Sequence, residues 1–269
     1  MDYLSIEGII KHVKMHPARY FLDSAYADQA LAVHLDATTD QGTRKRTSQK
    51  KILRYYKRFN FLNRSAVVLE ANCGPIPIPV RTGIDCKSHI AIEINPKICK
   101  YAKNNRTLRT KHNVINSVFK HWLRTTKLRF NVIILGYETL NSLHADNLRE
   151  VLRLAHRALM PGGFVIGEFR PWGNMSGISV YPDLKCQNTN QLTILTRRYR
   201  GACNMSLYES KLRLVDAYLI ECLRRINVYR AFRFAGFRHV DTRQLSSILC
   251  TDVTECRSNI LFVFRKPSI

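Results

Sequence analysis

The stretch LRLAHRALMPGGFVIGEF, residues 152–169, joins an amphipathic helical pattern to an apolar strand through a Pro-Gly-Gly turn. It belongs to the longer segment HADNLREVLRLAHRALMPGG, residues 144–163, whose apolar residues share one helical face. Gly162-Gly163 is expected to end this helix. GGFVIGEF then predicts a strand, and a helix that leads directly into an apolar strand is typical of α/β proteins.

The same alternation runs through the preceding part of the chain. Strands are predicted within SAVVLEANC (65–73), HIAIEINP (89–96), NVINSVF (113–119) and RFNVIILGY (129–137), and a helix within PKICKYAKNNRTL (96–108). Strands and helices at this spacing predict an α/β fold. We expect a Rossmann-like, mainly parallel sheet with helices on both faces and an antiparallel strand near the C-terminus.

The remainder of the chain is less regular. RPWGNMSGISVYPDLKCQNTNQ (170–191) predicts a loop because Pro, Gly and Asn recur in it, whereas LTILTRRY (192–199) predicts a strand. LRLVDAYLIECLRRINVYRAFRFAGF (212–237) fits a strand or a helix. AFRFAGFRHVDTRQL (231–245) predicts a helix end and a strand, and NILFVFRKP (259–267) predicts a last strand, so this tail could finish one mixed sheet.

The charge balance is strongly basic. The 269 residues include 43 Lys and Arg against 20 Asp and Glu, a formal net charge of +23. Such a balance indicates a polyanionic partner such as nucleic acid, an anionic membrane surface, or a host whose proteins are basic in general. Residues 43–64 hold nine Lys and Arg and no acid, and predict a basic amphipathic helix that either contacts phosphates or is a solvated helix packed on the core.

Composition also limits the class of protein. No apolar run approaches the roughly 20 residues needed to span a bilayer, and the N-terminus does not resemble a signal peptide. The eight cysteines include no C-x-x-C pair and no zinc-finger spacing, so we predict no metal site and reduced thiols in a cytoplasmic protein.

We expect an N-terminal helical extension over 1–60, which contains most of the basic segment, and a Rossmann-like domain over 61–269.

A ligand site is expected where the first strands end. In open α/β sheets, ligands bind beyond the carboxyl ends of the strands, near the point where the strand order reverses. The first strand runs into VVLEANCGPIPIPV, residues 67–80, and Glu93 closes the second strand 23 residues after Glu70. A carboxylate at that position can accept both hydroxyl hydrogens of a ribose diol.

Five segments in this order resemble the class I S-adenosylmethionine-dependent methyltransferases. They are VLEANCGPI, HIAIEINPKICKYAKNN, RFNVIILGYETL, LRLAHRALMPGGFVIGEF and AGFRHVDTR, and the resemblance covers about residues 60–268. It implies S-adenosyl-L-methionine as the cofactor. The residues that it assigns to cofactor binding are Glu70, Asn72, Cys73, Gly74, Glu93, Ile94, Asn116 and Gly136.

The first turn departs from the family's acid-x-Gly-x-Gly-x-Gly pattern. Gly74 is the central glycine, but Asn72 and Ile76 stand where the other two glycines would be. Asn tolerates a left-handed conformation, whereas Ile76 would keep a ligand farther away. Three prolines in the loop remove backbone donors, which suits the cationic sulfonium and ammonium groups of S-adenosylmethionine better than it would suit a pyrophosphate.

The resemblance also implies where the reaction would occur. The end of the fourth strand should face the transferred methyl group, so Glu138 is a candidate base and Tyr137 a candidate stacking residue. Alternatively, Glu138 caps a helix N-terminus and Tyr137 packs. Basic segments 43–64 and 97–129, interleaved with aromatics, slightly favour RNA over a small metabolite as acceptor. The alternative function is a catalytically inactive, methyltransferase-like RNA-binding or assembly protein.

Overall fold

The computed structural model describes residues 31, 35, 46–83, 85–104, 111–136, 139–141, 143, 145–169, 171, 177–181, 192–199, 202–208, 214–221, 224–245 and 259–268. Within these ranges the helices are α1 (Arg46–Lys57), α2 (Ile78–Thr82), α3 (Pro96–Asn104), α4 (Phe119–Thr125), α5 (Ala145–Ala158) and α6 (Arg225–Phe234). The strands are β1 (Val67–Ala71), β2 (Ser88–Glu93), β3 (His112–Asn116), β4 (Phe130–Leu135), β5 (Leu159–Phe169), β6 (Gly177–Tyr181), β7 (Leu192–Tyr199), β8 (Ala202–Tyr208), β9 (Leu214–Glu221), β10 (Arg238–Gln244) and β11 (Ile260–Arg265).

The main sheet has seven strands in the order β10-β11-β5-β4-β1-β2-β3. Strands β1 to β5 are parallel to one another, and β11 is antiparallel to both of its neighbours. The predicted Rossmann-like sheet with an antiparallel strand near the C-terminus is therefore confirmed. The strand order reverses at β1, which places the expected ligand crevice at the carboxyl ends of β1 and β4.

Helices cover both faces of this sheet. On one face, Leu53 and Tyr56 of α1 share a buried cluster with Val68 of β1 and Ile134 of β4, and α3 packs beside them over β2 and β3. On the other face, α4, α5 and α6 bury side chains against the neighbouring residues of the same strands. Because successive residues of a strand point to opposite faces, strands buried on both faces carry the continuous apolar runs seen in the sequence.

The helix α1 confirms part of the basic amphipathic prediction. Its apolar stripe packs on the sheet, whereas its Lys and Arg side chains at positions 50, 54 and 57 are exposed. The first 45 residues lie outside the described residues apart from Leu31 and Leu35, so the boundary at residue 60 stays a prediction. None of the described helices is long and apolar enough to cross a membrane.

The end of α5, the start of β5 and two short helices differ from the sequence prediction. Helix α5 ends at Ala158 and not at Gly162-Gly163, because Pro161 disfavours helix in the residue before it and the following residues already belong to β5. Gly162 has φ 76° and donates its N–H to the Lys266 carbonyl. The short helices α2 and α4 were not predicted, and α2 lies inside the proline-rich loop with Pro at its first turn, where the missing N–H costs little.

The described strands between β5 and α6 lie outside the main sheet. Strands β6, β7, β8 and β9 form a separate four-stranded antiparallel sheet. The prediction of a loop over 170–191 is wrong at β6, β8 was not predicted, and the ambiguous segment 212–237 contains both β9 and α6. The expectation that the whole tail finishes one sheet therefore holds only for β10 and β11.

Gly167 on β5 offers a test of how closely β4 and β5 approach. A Cβ atom at this position would lie 2.1 Å from the Leu135 carbonyl oxygen, which is backbone and cannot swing away. We expect Gly167→Ala to lower the free energy of unfolding by about 3 kcal/mol in urea titrations. The matched control is Gly136→Ala, whose Cβ would meet only the Ile78 side chain at 3.4 Å and should change stability little. Equal stability of the two variants would contradict this packing.

Candidate functional site

The turn after β1 is built on two residues with positive φ. Asn72 has φ 50° and Gly74 has φ 64°, so the left-handed conformation expected for Asn72 is confirmed. The Asn72 amide nitrogen donates to the Thr139 hydroxyl across 3.3 Å. An asparagine at this position therefore supplies both the backbone geometry of a glycine and a side-chain link to the segment that follows β4.

Glu93 holds this turn against the end of β2. Its Oε2 accepts the Gly74 N–H at 3.0 Å and its Oε1 accepts the Asn95 N–H at 2.9 Å. The side chain is 6% exposed. Burial raises the pKa of the Glu93 carboxyl, the charge of Glu70 acts in the same direction, and the backbone N–H groups oppose them. Each oxygen of a carboxylate can accept more than one hydrogen bond, so these contacts leave acceptor capacity for a diol.

Glu70 lies beneath the turn and is almost fully buried. Its two oxygens are 3.1 and 2.9 Å from the Ile78 nitrogen, so it caps the N-terminus of α2. His89 Nε2 lies 3.1 Å from Glu70 Oε2, although this contact is poorly aligned for a hydrogen bond, and His89 Nδ1 lies 3.2 Å from His112 Nδ1. The predicted ligand contact of Glu70 stays a prediction, and its observed contacts fix the loop from below.

Asn116 ends β3 at the same edge of the sheet. Its amide nitrogen donates to the carbonyl oxygens of Glu93 and Ile94, at 2.9 and 2.8 Å. Both donors of the amide therefore tie the end of β3 to the end of β2. The Asn116 side-chain oxygen remains the group that can accept a hydrogen bond from a ligand's amino edge.

Gly136 follows β4 and completes the crevice. Its carbonyl accepts the N–H of Thr139 at 3.0 Å and also the Thr139 hydroxyl. Because Thr139 bonds Asn72 as well, the segment after β4 is linked to the turn after β1. The candidate catalytic residues Tyr137 and Glu138 lie outside the described residues.

Two residues of the first turn face away from the crevice or narrow it. The Cys73 side chain is 2% exposed and belongs to a buried cluster with Cys99 and Ala91, so Cys73 can meet a ligand only through its backbone. Ile76, which stands at the family's third glycine, is half-buried in the loop before α2. The larger side chain restricts how closely a ligand can approach the start of that helix.

Comparison with solved structures finds the same arrangement of strands and helices elsewhere. No protein-family model and no curated protein matches the sequence. A structure of an S-adenosylmethionine-dependent methyltransferase from Clostridium acetobutylicum aligns over 98% of this chain and 100% of its own, with 11% identity and a TM-score of 0.65. The chain has the class I methyltransferase fold.

Two further structures with this methyltransferase fold cover most of the chain. An amino pentose methyltransferase from Micromonospora echinaspora, solved with S-adenosylmethionine bound, is 13% identical over 82% of this chain and 91% of its own, with a TM-score of 0.57. A sugar N-methyltransferase from Streptoalloteichus is 14% identical over 82% of this chain and 86% of its own, also with a TM-score of 0.57.

The methyltransferase fold brings together most of the residues that the sequence analysis proposed, and it adds others. Glu93, Gly74, Asn116 and Gly136 all lie at the carboxyl edge of β1 to β4. The residues that were missed are Asn95, Thr139, His89 and Glu168. Asn95 accepts the N–H groups of the second and third residues of α3 and so caps that helix, a role that its place directly before Pro96 could have suggested.

The raised pKa of Glu93 has a measurable consequence for stability. Folding raises the pKa of Glu93 above its ordinary 4.5, so the folded state holds the proton more tightly than the unfolded state. The contribution of Glu93 to the free energy of unfolding therefore falls as pH rises from 4.5 towards the raised pKa. The stability difference, wild type minus Glu93→Gln, should therefore fall as pH rises above about 4.5 in urea titrations.

The matched control is Glu150→Gln on α5. A hydrogen bond from Arg124 lowers the pKa of Glu150, so its stabilising effect is present above 4.5 and is lost as pH falls through the lowered value. The same difference, measured for Glu150, should rise with pH. Parallel pH profiles for the two variants would contradict the buried environment of Glu93.

Proposed function

We propose that this chain is an S-adenosyl-L-methionine-dependent methyltransferase that acts on a small acceptor. The observation that carries the proposal is the Glu93 carboxylate, which is held by the N–H groups of Gly74 and Asn95 at the carboxyl edge of the sheet. A buried acid in this position, with acceptor capacity left, suits the two hydroxyl groups of a ribose.

The other residues of the crevice fit the remaining parts of this cofactor. The Asn116 oxygen would accept a hydrogen bond from the adenine amino group, and the backbone of Asn72, Cys73 and Gly74 would line the methionine end, with Gly136 opposite. Ile94 would flank the adenine through its backbone. Glu70 would act indirectly, because its carboxylate fixes Ile78 and with it the loop that surrounds the ligand.

The donor set of the loop suits a cationic ligand. Pro75, Pro77 and Pro79 carry no N–H, and the Ile78 N–H is already taken by Glu70. The loop therefore offers carbonyl oxygens and lies near two carboxylates, and it lacks the row of N–H groups that a pyrophosphate requires. The sulfonium and ammonium groups of S-adenosylmethionine are matched by this arrangement.

Methyl transfer makes modest chemical demands on the protein. S-adenosylmethionine supplies a methyl group that is already activated, so the chain's own residues mainly position the acceptor and exclude water. Glu138 remains the proposed base for an acceptor that must lose a proton, and Tyr137 the proposed stacking residue. Both follow Gly136, which lies at the end of β4 beside the first turn.

An apolar recess favours a small acceptor over an extended one. A cavity of about 60 Å³ opens between α1, α2 and the ends of β4 and β5, and Gly136 is one of its lining residues. A small, partly open recess with apolar walls suits a small group better than it suits the charged backbone of a nucleotide strand. Two structural neighbours are described as acting on an amino pentose and on a sugar, which agrees with an acceptor of this class.

Calorimetry tests the cofactor site directly. Wild-type protein should bind S-adenosylmethionine. Glu93→Ala should raise the dissociation constant by about tenfold or more, because hydrogen bonds to a charged group are lost. Glu150→Ala, which removes an acid from the exposed side of α5, should bind like the wild type. Absence of binding at millimolar ligand would overturn the enzyme proposal and leave the catalytically inactive alternative. Unchanged binding by Glu93→Ala would show that the ribose lies elsewhere.

RNA is a second candidate acceptor, favoured by one specific observation. Lys50, Arg54 and Lys57 of α1 and Lys100 and Lys103 of α3 are exposed, and both helices cover the same face of the sheet. Over residues 41–136 the sequence has three acids, and two of them are buried in the crevice. A face of this kind, which overlaps the predicted segments 43–64 and 97–129, suits a phosphate backbone.

Salt dependence separates the two candidates. If α1 contacts phosphates, the affinity for a single-stranded RNA should fall steeply as the salt concentration rises. The double variant Lys50→Gln, Lys57→Gln should then reduce the slope of log affinity against log salt concentration by about 1.4. The control is Arg230→Gln with Arg233→Gln on α6, which removes the same charge from the opposite face and should leave the slope unchanged. Failure to retain RNA at low salt, or equal slopes for both double variants, would leave the small acceptor as the sole candidate.

A further inference from the structure

The recess beside Gly136 presents hydrocarbon on almost all of its surface. Its walls come from α1, α2 and the strands β4, β5 and β11, and most of the side chains that line it are aliphatic. They include Ile52 and Leu53 of α1, Ile78 of α2, Ile134 of β4 and Ile166 of β5.

The polar side chains among these lining residues are already engaged within the protein. The Tyr56 hydroxyl donates to the Gly167 carbonyl across 2.9 Å, and the Thr82 hydroxyl donates to a carbonyl one turn earlier in α2. Gln49 and Glu168 also have interactions of their own. A ligand in the recess would therefore gain its binding free energy from apolar contact and not from these groups.

The backbone beside the recess is paired as well. Gly167 lies in register between Leu135 of β4 and Phe262 of β11. The Gly136 carbonyl accepts both the N–H and the hydroxyl of Thr139. A polar group that entered this space would lose its hydrogen bonds to water without replacing them, which weakens binding. The recess thus favours a hydrocarbon group and discriminates against a polar one.

Gly136 connects the recess to the ligand crevice. It lines the recess, and it also follows β4 at the carboxyl edge of the sheet, where Thr139 links it to Asn72 of the first turn. A group bound in the recess therefore lies beside the edge at which the methyl donor is proposed to bind.

We propose that the recess binds an uncharged hydrocarbon group of a few carbon atoms, and that this group is the apolar end of the methyl acceptor. A volume of about 60 Å³ admits a short alkyl chain. The assignment of this group to the acceptor rests on the proposed function, whereas the apolar chemistry of the recess follows from its walls. The acceptor is then a small molecule with a polar end at the crevice and a short alkyl end in the recess.

A pair of four-carbon alcohols tests the recess without any cofactor. 1-Butanol and 1,4-butanediol share one carbon chain, but the diol has no apolar end. Both are titrated into protein labelled at isoleucine methyl groups, because four of the lining residues are isoleucines whose NMR signals report binding directly. 1-Butanol should bind about tenfold more tightly, since the second hydroxyl of the diol would be buried without a partner. The signals of Ile115 and Ile226, which lie outside the recess, should not shift.

Chain length and a filled recess give two further measurements. Each methylene added from ethanol to 1-butanol should raise the affinity about fourfold, because it removes further apolar surface from water. Ile52→Trp, at a half-buried position of the wall, should occupy the recess and lower the affinity for 1-butanol about tenfold. The matched control Ile226→Trp, on the exposed side of α6, should bind 1-butanol like the wild type.

Equal affinity of the wild type for 1-butanol and 1,4-butanediol, or an affinity that does not grow with chain length, would overturn the proposal. A folded Ile52→Trp variant that binds 1-butanol like the wild type would also contradict it. The two wild-type comparisons need no variant, so they decide even if Ile52→Trp fails to fold.

Competition with S-adenosylhomocysteine then identifies the source of the hydrocarbon group. Protein saturated with this nucleoside should bind 1-butanol like the free protein, because the cofactor would lie in the crevice and the acceptor's apolar end in the recess. Loss of 1-butanol binding in the saturated protein would assign the recess to the cofactor and overturn its assignment to the acceptor. If the protein does not bind S-adenosylhomocysteine, the proposed function fails, and the alcohol titrations still decide the chemistry of the recess.

Discussion

The Glu93 carboxylate is the interaction on which the crevice depends. It joins the turn after β1 to the start of α3, because one oxygen accepts the Gly74 N–H and the other accepts the Asn95 N–H. Asn95 in turn caps α3, and Asn116 ties the end of β3 to the carbonyl of Glu93. Three parallel strands therefore end in one hydrogen-bonded unit. Such a unit keeps a ligand-binding edge in place before any ligand arrives, which lowers the cost of binding.

The same constraint explains how the chain tolerates an unusual first turn. A glycine-rich loop reaches left-handed conformations without strain, whereas here Asn72 adopts one and is secured by Thr139. The prolines that follow would be unfavourable in a phosphate loop, yet they pre-set the short helix α2, whose first free N–H is taken by Glu70. Compared with a glycine-rich loop, this loop is more rigid, and it offers carbonyl acceptors in place of backbone N–H donors. That exchange is acceptable only for a ligand that is positively charged where it meets the loop.

Sequence patterns predicted the parts of the fold whose periodicity is strong. Strands β1, β4 and β5 contain continuous apolar runs and α5 has a wide apolar stripe, so local composition was sufficient there, whereas β3 (HNVIN) has a weaker pattern. Helix α2 was missed because its prolines indicate a loop unless a buried acid is known to cap it. The separate sheet of β6 to β9 was predicted only at β7, because the Pro, Gly and Asn residues over 170–191 indicate a loop and the segment 212–237 fits a strand or a helix.

The candidate site was predictable to the extent that each residue sits at a strand end. Glu93, Gly74, Asn116 and Gly136 follow apolar runs, and parallel strands bring such positions to one edge. Glu168 could not be found this way, because it lies within a strand and its neighbours in the recess come from α1 and β11, far apart in sequence. His89 is similar, since its contact with Glu70 depends on the register of β1 and β2.

The distribution of charge resolves an apparent conflict between a basic protein and a cationic ligand. Exposed lysines and arginines on α1 and α3 act at the surface, where salt screens charges over a Debye length of about 8 Å. Glu70, Glu93 and Glu168 are buried at the crevice, where screening is weaker and each charge acts on its immediate surroundings. The proposed function is therefore compatible with a basic surface, because the exposed charges and the crevice act in separate places. For this reason the net charge of +23 describes the surface and does not define the ligand of the crevice.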